Sequence, residues 1–444
     1  MMDFLGTLIF LALIYLFGYS LLRFRKREES FELFETLGYS FGLGIGIIVF
    51  LLILYSLLGI EWNRLNIVFP PLLFSLVLFA KKHKGLVSKS KIMFSQKESC
   101  SVFLIVLTAF YLLIQTLIRP VSAWDAWANW FFGGKAFYLS KTIDPHIYKF
   151  ANFENPPATQ LLLAYDYIVT GNQNDTASLL LFYFFYINLL LLFFSRLKDT
   201  TNVLNALVFT SILATLPAVM RQAGRFDIGF IDLPLSFFFL CVILLYSRLK
   251  DFKHVLDLFF IEFLLGMGVL VKNEGVFFLF IMQAFILLKI FKKGVLTPKI
   301  ILSYCVGFLP FLYWTLFKNI YDINSANYLL HGAFQISRFS IIGRSFFLEF
   351  LNIQRWNIIW IYFFVLLFYT LLRKKFKNIS FLLPVSLQLL FYIFVYFVTP
   401  TGYEQIHGTI DRFLLQLLPI IVFWMGTESY EYIKGEKFFK NEKK

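Results

Sequence analysis

The sequence predicts an all-α, polytopic integral membrane protein with about thirteen transmembrane helices, and three observations lead there. Of 444 residues, 59% are hydrophobic and only 15% are charged, where soluble domains average roughly 45–50% and about 25%. Apolar stretches able to cross the roughly 30 Å hydrocarbon layer as helices recur from end to end. The loops between them alternate, every second one being rich in Lys and Arg. A β-barrel would show short segments of alternating polarity instead.

The spans fall near 4–22, 37–59, 65–80, 101–118, 177–195, 203–220, 231–247, 255–271, 275–291, 298–317, 356–372, 381–399 and 411–427. The first lacks the basic start and small-residue cleavage site of a signal peptide, so it is read as a span. The basic loops are RFRKR (23–27), KKHKG (81–85), SRLK (195–198), SRLKDFK (247–253), KIFKK (289–293), RKKFK (373–377) and the tail from Lys434. The positive-inside rule puts all of them, with the C-terminus, in the cytoplasm. The net charge of +14 is therefore topological, and nucleic acid is excluded as a partner. Cys100, Cys241 and Cys305 lie in or beside apolar spans, without metal-ligand spacing. Residues 157–170 are apolar but short; a full span there would break the charge alternation, so they are expected to dip in or lie along the outer interface. The expected division is 1–98 as additional N-terminal helices, 99–320 as a core with a first outer loop at 119–176, and 321–444 as a second outer loop, further helices and the tail.

The outer side holds the residues that carry chemistry. SAWDAWANW (122–130) sets Asp125 among Trp124, Trp127 and Trp130, just past a span end. An aromatic belt facing lipid explains the indoles. It does not explain the carboxylate, which is costly to desolvate without a partner or a task. Pro156 and Pro157 follow Asn155 and suit a helix start. Asp232 opens a span as Asp-Leu-Pro-Leu, where it can cap a helix or act in chemistry, and Arg225 precedes it. Lys272-Asn273-Glu274-Gly275 joins two apolar helices; it either pairs with itself or binds an anionic head group. His407 and Arg412 stand before the last span.

Together these stretches resemble the C-type superfold of glycosyltransferases (GT-C), nearest the protein-O-mannosyltransferase and lipid A aminoarabinose transferase group. The matches are Trp124-Asp125 in the first outer loop, Asn155-Pro156-Pro157, Asp232-Leu233-Pro234-Leu235, Lys272 to Gly275, and Arg412 to Pro419. They cover roughly 100–320, and 400–420 more loosely. Two departures stand out: Ala126 replaces the second acid of an acidic pair, and Asn155 stands where relatives often have His. The resemblance implies a catalytic helical core that moves a sugar from a polyprenyl-phosphate donor, with inversion, to a glycan, lipid or protein acceptor outside the cytoplasm. Asp125 would be the general base, and Asp232 would orient the acceptor. Lys272 and Arg412, with Arg225, His407 and the Lys272–Glu274 turn beside them, would hold the phosphate. No cofactor is fixed; a divalent cation on Asp125 and Asp232 is the one candidate. The membrane would be a plasma or inner membrane. The alternatives are a transporter or flippase for a lipid-linked substrate, for which Glu262 in mid-span would mark a pathway, and a non-catalytic envelope scaffold.

Overall fold

A computed structural model describes residues 2–25, 31–80, 95–150, 155–249, 252, 255–323, 333–373, 379–399 and 402–441. The KKHKG loop and most of RKKFK lie outside the described residues. Every regular element among the described residues is a helix. Each expected window overlaps a helix, but length and composition qualify fewer as spans. Seven described helices are long and apolar enough to cross a membrane, or nine if each of two bent pairs counts as one. Asp232–Arg248 and Val255–Val271 have 17 residues each, or about 25 Å of rise.

Local sequence sets where helices start, stop and bend. Asn202 and Thr297 cap their helices by accepting the N–H of Asn205 and Ile300. Leu216 precedes Pro217, and that proline pushes it into extended backbone (ψ 125°). The Val203–Thr215 and Pro217–Gly224 helices accordingly meet at 66°. The second bend, 46°, lies at Gly307 with Pro310 just beyond.

The chain forms two compact units that interleave along the sequence. The first contains 1–91, 112–192 and 222–326, and the second 92–111, 193–221 and 327–444. The N-terminal helices Met2–Leu22 and Leu33–Leu58 belong to the first unit.

In the first unit, Met2–Leu22 and Leu33–Leu58 pack backbone to backbone. A Cβ at Gly18 would collide with the Ser40 carbonyl, and one at Gly44 with that of Ile14. Leu33–Leu58 also packs on Val255–Val271. Two ion pairs close the basic-loop end, Arg25 Nε–Asp257 Oδ1 at 2.6 Å and Arg248 Nη2–Glu35 Oε2 at 2.7 Å. The Ala158–Thr170 helix does not lie on a surface. Residues 158–168 are buried, against Met2–Leu22, Leu33–Leu58 and Phe132–Ser140. Its apolarity reflects protein packing, not an interface with lipid.

In the second unit, the 40-residue helix Gly402–Asn441 is the axis. Val203–Thr215, Phe339–Phe350, Ile359–Leu372 and Ile379–Val398 pack on it. The Asn205 amide bridges two of these helices by donating to the Gly426 carbonyl at 3.0 Å.

Candidate functional site

The candidate site in the first unit is built on the turn 224–231. Gly224 rests on Leu112 and Thr116 of the Gln96–Ile118 helix. Gly229 has φ 97°, and a Cβ there would lie 2.6 Å from Ala126 Cβ. Only glycine meets both demands. The turn is therefore clasped between the end of one helix and the Trp-rich segment, so the residues of both converge on it.

The Trp-rich segment folds as a π-helix, Ala126–Phe131. Such wide turns are rare and cluster at functional sites. Asp125 is half-buried immediately before it. Trp124 and Trp127 remain exposed and stack edge to face, centroids 4.6 Å apart. Trp130 does not join them. It is 1% exposed, because the wider π-turn carries it round to the inner side. The exposed indoles of this segment are thus two, not three. Lys135, nearby in sequence, is committed to Asp175 at 2.6 Å.

Arg225 and Phe226 form the tip of the turn. The Arg225 guanidinium lies 5.1 Å from the Phe226 centroid and that of Arg119 lies 4.7 Å from it. Phe226 is 53% exposed. Arg119 is fixed by donating from Nε to Gln115 Oε1 at 2.6 Å. The Arg225 Nε finds no hydrogen-bond acceptor, and among the described residues neither guanidinium meets a carboxylate. Two cations on one exposed ring form a site that suits an anion.

Behind the turn lies a buried polar cluster. Asp232 starts the Asp232–Arg248 helix and is fully enclosed. Lys272 Nζ reaches Asp232 Oδ1 at 2.8 Å and Glu274 Oε1 at 2.6 Å. Gln222 donates to Asp232 Oδ2 at 3.3 Å and accepts the Leu233 N–H at 2.9 Å. Gly275 lets the Lys272 turn close, since a Cβ there would strike the Gly268 carbonyl. Asp232, Lys272 and Glu274 are thus brought together, and Lys272 is engaged by two carboxylates. These contacts hold the start of the Asp232–Arg248 helix against the Lys272 turn. The cluster does not fit a divalent cation. Both Asp232 oxygens have protein partners, and among the described residues no three His, Cys, Asp or Glu gather at one point.

Pro156 and Pro157 are buried, and Pro157 precedes the Ala158–Thr170 helix as expected of a helix start. His407, exposed, and Arg412, half-buried, belong to the second unit. There Asp411 meets Arg355 at 3.2 Å and Arg221 at 3.8 Å. Arg355 also reaches Glu349 at 3.2 Å, and Glu349 accepts the Trp356 indole N–H at 2.7 Å. No protein-family model, curated protein or solved structure matches this chain.

Proposed function

We propose that the protein is a membrane glycosyltransferase of GT-C type, moving a sugar from a polyprenyl-phosphate carrier to a glycan, lipid or protein acceptor on the extracytoplasmic face. The observation that carries this reading is the half-buried Asp125, on a π-turn clasped to the loop where Arg119 and Arg225 share Phe226. A general base and an anion site are what the reaction needs. An acceptor hydroxyl attacks the anomeric carbon, and Asp125 takes its proton. The bond from that carbon to the phosphate oxygen breaks, and the anomeric centre inverts. The guanidiniums stabilise charge growing on the departing phosphate, where arginine's planar donor array suits the oxygens. The exposed Trp124 and Trp127 give the carrier's first isoprene units an apolar seat. Asp232, Lys272, Glu274 and Gln222 act as positioning residues that fix the helix start beneath the turn. Arg412 and His407, in the second unit, remain candidates for holding a phosphate on the strength of the resemblance.

A second reading, transport of a lipid-linked substrate, is favoured by Glu262. It is fully enclosed in the Val255–Val271 helix, and its Oε1 has no hydrogen-bond partner. The two readings separate by mass spectrometry of envelope glycans and lipid-linked sugars in cells expressing Asp125→Asn or Glu262→Gln. A transferase loses its glycan and accumulates donor with Asp125→Asn, and tolerates Glu262→Gln. The opposite pattern contradicts the transferase reading, and loss with neither variant points to a scaffold.

A further inference from the structure

The second unit contains a groove of about 860 Å³. It lies between the Val203–Thr215 helix, the start of Ile359–Leu372 and the later part of Gly402–Asn441. Its volume is that of a ligand site, and the proposed chemistry makes no use of it. The walls are apolar, with Val208, Phe209, Ile212, Leu216, Ile358 and Ile433 prominent. Ile358 is 65% and Ile433 50% exposed. The groove follows the whole Val203–Thr215 helix, about 20 Å at the α-helical rise.

Its polar groups are distributed unevenly. Thr215 donates to the Ser211 carbonyl at 2.8 Å, and Tyr362 and Ser429 bond to each other at 2.6 Å. Asn202 accepts the Asn205 N–H at 2.8 Å, and the Asn205 amide is taken by Gly426. These groups are already used within the protein. Among the described residues, the one charge lining the groove is the exposed Lys434, and none of the lining residues is an acid. Asn202 follows the basic SRLK loop and Lys434 begins the basic tail, so the loop charges predict both at the cytoplasmic end.

A long apolar trough with a lone cation at its cytoplasmic end matches one class of ligand. We propose that the groove seats one anionic glycerophospholipid of the cytoplasmic leaflet, an acyl chain along Val208, Ile212 and Leu216 and the phosphate at Lys434. The sugar carrier is the poorer occupant, because transfer outside the cytoplasm puts its head group at the opposite face.

The test is native mass spectrometry of the full chain in detergent, titrated with phosphatidylglycerol or with phosphatidylcholine of the same acyl chains. The wild type should retain one phosphatidylglycerol with about fivefold preference, the weight of one lysine near an anionic lipid. Lys434→Gln, an exposed change that leaves the packing alone, should bring the two lipids to near parity. Ile212→Trp, which fills the groove, should lose the retained lipid while its elution profile and circular dichroism stay those of the wild type. Equal retention of both lipids by the wild type, or an unchanged preference in Lys434→Gln, overturns the proposal. So does displacement of phosphatidylglycerol by equimolar undecaprenyl phosphate, which would make the groove a carrier site. Sugar transfer is not the readout, so failure here leaves the transferase reading untouched.

Discussion

Replacing Lys272 by Met should destabilise the first unit and slow transfer through the same cause. Asp232 is 0% exposed and Lys272 10% at their 2.8 Å ion pair. Removing one partner of a buried pair costs about 3–5 kcal/mol. The Gln222 amide stays at 3.3 Å from the Asp232 carboxylate and offsets about 1 kcal/mol. Glu274, 16% exposed, turns to solvent and adds little. The expected net loss is about 2–4 kcal/mol. Unfolding in mixed micelles with rising SDS, followed by circular dichroism, should show this for Lys272→Met and for Asp232→Leu singly. The double variant carries neither charge of the pair, so it should lose markedly less than the two singles combined. A Lys272→Met loss below about 0.5 kcal/mol, the range of a surface change, would refute the reasoning. Strict additivity in the double variant would refute it too.

Other outcomes follow from single contacts. Gly275→Ala should cost about 1–3 kcal/mol through overpacking, because its Cβ meets the Gly268 carbonyl; the same SDS titration checks it. Gly18→Val should disrupt the pairing of the first two helices, where the Ser40 carbonyl occupies the Cβ position, and folded yield on gel filtration should fall. Burial pushes the Asp166 carboxyl from 3.8 up to about 7, while Ser178 and Thr7 hydroxyls bond to it and Asp3 lies nearby. The folded state therefore holds this proton more tightly than the unfolded state. Its contribution is full below about pH 4 and is lost as pH rises through about 7. Asp166→Asn should flatten the fall in stability between those values, measured as unfolding midpoint against pH. Arg225→Gln should lower transfer turnover about 10²–10³-fold, as loss of one donor to developing charge does, with circular dichroism unchanged.

Helices were the most legible part of the sequence, because hydrocarbon-length apolar runs leave few alternatives to a helix. The number of spans was less so: composition alone does not distinguish a bilayer crossing from short apolar helices such as Ala158–Thr170, enclosed by protein. The Lys272–Glu274 pairing was open in the sequence, since the two stand in one tight turn. That Asp232 would join them depends on a contact 40 residues away in sequence. Gln222 and Phe226 carried no signal, being an ordinary polar residue and one of 59 phenylalanines. Arg119 carried no signal either, since only the fold places it over Phe226. The inward Trp130 was hidden because a π-turn has no dependable sequence signature. Arg355 and Asp411 meet across 56 positions, a pairing no local pattern announces.

The most direct test of the central claim is turnover by the purified protein in lipid vesicles. A radiolabelled polyprenyl-phosphate sugar would be the donor and a membrane extract from cells lacking the protein the acceptor, with wild type compared to Asp125→Asn. The account expects transfer by the wild type and a loss of about 10²–10⁴-fold in the variant, the usual weight of a general base, with donor binding retained. Equal transfer by both proteins, or none by the wild type while label crosses the vesicle wall intact, would contradict it.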